Sequence, residues 1–107
     1  MTTFQDRERA EEAKFALDED TAFRIVARRN RLLANWASEK MALTPEEADA
    51  YAKAVVQAEF EEGGDEAVVH KVLGDLVQAG CEVDEAEVRT ALQAQAVEAR
   101  RQFMGEG

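Results

Sequence analysis

A chain of 107 residues, 34% of them charged, allows one small domain, and its single cysteine excludes an internal disulfide. A formal net charge of -10 disfavours nucleic acid as a partner, and the excess is one-sided: residues 1–40 hold eight acidic and eight basic side chains, residues 41–107 fifteen and five. No run approaches the length of a membrane span, no apolar signal-peptide core opens the chain, and early acidic residues argue against a transit peptide, so a soluble, cytoplasmic protein is expected.

The spacing predicts one long first helix. No proline or glycine occurs between Met1 and Lys40, and good helix formers predominate. At about 1.5 Å per residue this helix would run roughly 55 Å, whereas about 20 helical residues already span a small domain, so part of it must project. From about residue 22 an apolar stripe fits it for docking: Phe23, Val26, Leu33, Trp36 and Ala37, widened by Ile25 and Leu32. Between Thr2 and Leu17 the stripe fails, with only Phe4, Phe15 and Leu17 large and apolar among Asp6, Arg7, Glu8, Arg9, Glu11, Glu12 and Lys14. An isolated helix of this length is marginal in water. Residues 1–17 are therefore expected as an N-terminal arm, disordered when free, on a domain of residues 18–107. Asp18, Glu19, Asp20 and Thr21 offer an N-cap for the docked part, which places an expected break near residue 18.

Thr44-Pro45-Glu46-Glu47 opens a second helix, with threonine as cap, proline in the first turn and Glu47 closing a capping box. Its expected buried side is Ala48, Tyr51, Ala52, Val55, Val56 and Phe60, and Gly63-Gly64 ends it. Asp65 is the expected cap of a third helix carrying Val69, Val72, Leu73, Leu76 and Val77 inward; Gly80 stops it, with Cys81 set to touch Leu76. Asp84 and Glu87 form another capping box, Val83 is placed to staple Val88, and a fourth helix turns Val88, Leu92, Gln95, Ala96, Ala99 and Phe103 inward. Nothing alternates with a strand period. The expected fold is all-α, a four-helix bundle whose first helix overhangs.

Residues for catalysis are scarce, and no enzyme is expected. His70 falls off the apolar stripe of its helix, and Cys81 sits beside acidic Glu82, a setting that disfavours thiolate; both read as structural or surface residues. The acidic stretch Glu59, Glu61, Glu62, Asp65, Glu66 lacks the order and span of a calcium loop, so no metal site is expected. Arg24, Arg28, Arg29 and Arg31 form the one basic cluster, with Arg24, Arg28 and Arg31 on one helix face. They are open to three uses: pairing with Asp20 or the acidic later helices, facing a partner protein, or holding the phosphates of a nucleotide. The arm is open to two: a solubilising tail, or a binding helix anchored by Phe4, Phe15 and Leu17.

The runs Met1-Thr2-Thr3-Phe4, Asp6-Arg7-Glu8, Glu12-Ala13-Lys14-Phe15-Ala16, Phe23-Arg24, Ala27-Arg28-Arg29-Asn30, Leu32-Leu33 and Trp36-Ala37 together resemble the ζ subunit family. Ala50-Tyr51-Ala52, Val55-Val56, Phe60 and Gly64-Asp65-Glu66 continue the likeness to about residue 76, with Gly63 standing where some members have proline. That family supplies the inhibitor of the F-type ATP synthase in alphaproteobacteria. The resemblance implies that the arm folds into a helix on entering a catalytic α/β interface of the synthase head, against the central γ shaft, and blocks ATP hydrolysis. By analogy Phe4, Phe15 and Leu17 fill the groove while Arg7, Glu8 and Lys14 pair with the subunits. It further implies work at the cytoplasmic face of the inner membrane without insertion into it, and weak ATP or ADP binding in the bundle. The alternative that follows is an adenine-nucleotide-binding helical sensor, with Arg24, Arg28 and Arg31 as nucleotide or partner contacts.

Overall fold

In the computed structural model, the structure describes the backbone of residues 3–104 and the side chains of residues 19–61 and 63–103. Four α-helices follow one another: α1 (Thr3–Met41), α2 (Pro45–Ala58), α3 (Asp65–Gln78) and α4 (Glu85–Met104), with a π-helical turn, Glu59–Gly63, between α2 and α3. The fold is the expected all-α bundle with a long first helix. Without glycine or proline to interrupt it, α1 runs through the Asp18–Thr21 stretch without ending there.

Each helix end has a local cause. The Thr44 hydroxyl accepts the Glu47 N–H at 3.1 Å while the Glu47 carboxylate accepts the Thr44 N–H at 2.9 Å. Asp84 and Glu87 repeat this box at 2.9 and 3.2 Å. At the end of α3, Gly80 takes φ +86°, and the Gly80 and Cys81 N–H groups bond back to the Val77 and Leu76 carbonyls. The same motif closes α1 with an alanine: Ala42 stands at φ +58°, and the Ala42 and Leu43 N–H groups bond to the Glu39 and Ser38 carbonyls. Asp65 does not cap α3. Gly64 occupies the N-cap at φ +93° with no side-chain hydrogen bond, and the Asp65 carboxylate is turned to Arg29 instead.

The core is built of small aliphatic residues: Leu33, Ala34 and Ala37 of α1, Ala52 and Val55 of α2, Val68, Val69, Val72 and Leu76 of α3, and Val88, Ala91 and Leu92 of α4. Every other helix packs on α1. Burying each valine or leucine contributes about 1.5–3 kcal/mol. Around this core, polar clamps join neighbours. Tyr51 donates to Asp75 at 2.8 Å across α2 and α3, where burial and the Asp75 carboxylate push its phenol up. Arg89 of α4 reaches Glu66 of α3 through two bonds of 2.9 and 2.8 Å, which hold the Glu66 carboxyl below its ordinary range.

Four expected core residues lie outside. Phe23 is 54% exposed, Phe60 51%, Phe103 42% and Val77 56%. Helical spacing identifies the face a residue shares but not where the opposing helix stops. No described α1 residue before Arg29 is buried, so Phe23 overshoots the core, and Phe60 and Phe103 lie at the same edge of the bundle. The molecule is long for its size, 64 × 27 × 22 Å with a radius of gyration of 17.1 Å. A compact domain of this length has about 13 Å.

Candidate functional site

The face of α1 set by spacings of four and three brings Arg24, Arg28 and Arg31 to one surface, as the sequence requires of any helix. What the fold adds is aromatic. Arg24, Arg28 and Arg31 line a cleft of about 460 Å³ together with Phe23, Ala27 and Phe103. The Arg28 guanidinium lies 6.0 Å from the centre of the Phe103 ring, joining the end of α4 to α1. On its other side Phe23 stacks on Phe60, with ring centres 4.8 Å apart and planes 21° from parallel. Arg24 pairs with Asp20 at 3.3 Å and Arg31 with Asp49 at 3.9 Å, both solvent-exposed contacts of small energetic consequence. The open readings of this cluster are therefore divided between pairing, by Arg24 and Arg31, and a surface that sets Arg28 over a phenyl ring.

Arg29 has a different place from the other arginines. Its side chain is 9% exposed, and it donates to Glu59 at 3.0 Å, Asp65 at 2.9 Å and the Asn30 side-chain oxygen Oδ1 at 3.1 Å. Asn30, fully buried, donates in turn to Glu59 at 3.1 Å. This network holds the π-helical turn against α1, and Phe60, the residue after Glu59, is thereby set against Phe23. Sequence reasoning grouped Arg29 with the other arginines and gave pairing with the acidic later helices as one of their uses; the bonds to Glu59 and Asp65 are that pairing, and what the reasoning did not single out is the burial of Arg29. A signal was present: Arg29 and Asn30 stand four positions before the buried Leu33 and Ala34, on the core side of α1.

Guanidiniums and phenyl rings bind and orient; none is a nucleophile or exchanges protons near neutral pH. His70 is exposed, 4.0 Å from Glu66, and Cys81 packs at the core edge with its thiol toward the Lys40 carbonyl. Among the described residues no group of three or more His, Cys, Asp or Glu side chains converges to hold a metal ion, and no helix is long and apolar enough to cross a membrane. The side chains of Phe4, Arg7, Glu8, Lys14, Phe15 and Leu17 lie outside the described residues.

Comparison with curated proteins brings no match. The family model described as ATPase inhibitor subunit zeta matches residues 1–102, from the first residue of the arm nearly to the end of α4. With that match over almost the whole chain, the protein belongs to the ATPase inhibitor subunit zeta family.

Proposed function

We propose that this member of an ATPase inhibitor family acts on the F-type ATP synthase by inserting its N-terminal segment, as a helix, into a catalytic α/β interface of the head, where it obstructs ATP hydrolysis. The observation that carries the reading is a mismatch between family and fold. The family match includes the chain from residue 1, yet no described residue before Arg29 belongs to the buried core. Between Met1 and Leu17 the chain sets three large apolar side chains among many charged ones, a composition suited to another protein's groove. Phe4, Phe15 and Leu17 then supply apolar anchors, and Arg7, Glu8 and Lys14 pair at the groove's rim, while the bundle stays outside as a stop. The free arm is flexible and becomes a fixed helix only on insertion, and the protein regulates without catalysis of its own, on the cytoplasmic side of the membrane.

The test is ATP hydrolysis by the purified head, titrated with the full chain and with a version beginning at Asp18. Because the core begins at Arg29, the shorter version keeps it. Inhibition by the full chain and none by the short one is expected; equal inhibition by both would sink the insertion mechanism.

A second reading has one observation in its favour. The cleft beside Phe103 is within the size range of small-ligand sites, roughly 300–1,000 Å³, and is lined by three arginines that could meet phosphates and two phenyl rings that could meet a base. It is the weaker reading, since phosphates there meet side chains alone, with no glycine-rich loop to cradle them. A calorimetric titration of the full chain with ATP that is unchanged by Arg28→Ala would remove it.

A further inference from the structure

We infer that Phe23, Phe60 and Phe103, with Arg24, Arg28 and Arg31 around them, form a second docking surface, one that fits a carboxylate-bearing, partly apolar protein surface beside the groove that receives the arm. The inference rests on the synthase-inhibitor reading and extends it from the arm to the bundle.

The first ground is exposure. The core is closed by alanine, valine and leucine, and yet three of the chain's five phenylalanines stand half in water at one edge. Contiguous apolar surface rimmed by polar groups marks an interaction site, because removing it from water is favourable and leaving it there is not. Two of these rings are also held in place. Phe60 is carried on the π-helical turn that Arg29 ties to α1, and Phe23 is stacked on it, so little side-chain freedom is left to lose on binding.

Charge identifies the occupant. In a chain of net charge -10, this edge presents three arginines, and Arg28 makes no ion pair among the described residues. Guanidinium forks bind carboxylates through two parallel bonds, and their planes stack on rings. An anionic bilayer is disfavoured by the chain's overall charge and by exposed Asp20, Glu61 and Asp65 near the same edge. A second copy meeting this patch face to face would oppose arginine to arginine. A protein surface with a few carboxylates set among apolar groups can meet the three guanidiniums and keep clear of Asp20, Glu61 and Asp65, as a continuous anionic bilayer cannot.

Continuity places that surface. Phe23 follows Leu17 by six helical positions, about 9 Å along the axis. Any body that holds the arm's helix up to Leu17 therefore has its neighbouring surface within a side chain's length of the patch.

The test measures equilibrium binding of the full chain to the purified head at low and high salt, with Arg28→Glu, Phe103→Ala and, as a control at the other end of the docked part of α1, Lys40→Glu. Arg28→Glu and Phe103→Ala are each expected to weaken binding about tenfold, with Lys40→Glu within about twofold of the unaltered chain. The unaltered chain should also lose affinity more steeply with salt than Arg28→Glu. Thermal unfolding of each variant separates these losses from misfolding. Unchanged affinity in Arg28→Glu and Phe103→Ala overturns the inference, as does ATP binding at the cleft without any effect of Arg28→Glu on the head. Dimerisation of the free chain that Arg28→Glu abolishes assigns the patch to a second copy and overturns it too. Binding that is weakened by the variants but inhibits nothing supports the docking surface while the inhibitor reading falls; no binding by the unaltered chain overturns both.

Discussion

Arg29 stands on the core side of α1, four residues before Leu33, at a position where an aliphatic side chain would extend the apolar stripe. It is retained with two carboxylates and an amide around it, and burying such groups costs several kcal/mol unless every partner is present. Removing one partner therefore differs from removing the set. Arg29→Met leaves Glu59, only 15% exposed, with Asn30 as its remaining donor, and is expected to destabilise the bundle by about 3 kcal/mol. Arg29→Met with Glu59→Leu should recover most of that loss. Urea denaturation of the single and double variants measures the coupling, and simple additivity would contradict the network's role. A smaller effect at the same site is positional: loss of Arg29 frees the turn that carries Phe60, and the Phe23–Phe60 stack should loosen with it.

Two helix endings in this bundle share one hydrogen-bond pattern and differ in one residue. After α3 the left-handed position is Gly80 at φ +86°; after α1 it is Ala42 at φ +58°, where a Cβ meets the following carbonyl. Ala42→Gly is expected to stabilise the protein by about 1 kcal/mol, and Gly80→Ala to destabilise it by a similar amount. Nothing lies within 4 Å of a Cβ built on Gly80, so the loss would come from backbone strain alone. On a domain of this size such changes move Tm by about 4–8 °C in opposite directions. Thermal unfolding reads both, and a fall in Tm for Ala42→Gly would contradict the strain argument. The π-helical turn is the other ending that matters here. It follows α2 and ends at Gly63, which with Gly64 stands at φ +85° and +93°, and it turns Glu59 toward Arg29 while leaving Phe60 at the bundle's edge.

At the scale of the whole molecule, the buried side chains among the described residues of α1 begin at Arg29, and the helix backbone runs back from there to Thr3. The sequence from residue 2 to 17 carries no apolar stripe for docking, and a helix of that kind forms and melts according to its own propensity, which is marginal at this length. In the free protein, backbone relaxation is therefore expected to give order parameters below about 0.6 for residues 2–17 and near 0.85 through residues 33–40. Uniformly rigid values across both stretches would refute the flexible arm. Addition of the synthase head should bring residues 2–17 to the rigid value while leaving the bundle's amides unchanged.

Much of this architecture was legible in the chain. Absence of glycine and proline to residue 40, the two capping boxes at Thr44 and Asp84, and the glycines at 64 and 80 are local instructions, readable because helix starts and stops depend on a few neighbouring residues. The likeness to the ζ subunit family rested on the N-terminal runs, and the family match includes them. The spacing of Arg24, Arg28 and Arg31 put them on one face before any partner was known. What only the tertiary structure decided is which side of the surface each marginal residue takes. Spacing turns Phe23, Phe60 and Phe103 inward, but they meet one another and Arg28 at an edge that the buried aliphatic side chains do not reach. Arg29 and Asp65, separated by 36 positions, meet because a π-helical turn brings them together. Periodicity specifies a direction around a helix axis; how far along that axis another helix reaches is settled by packing.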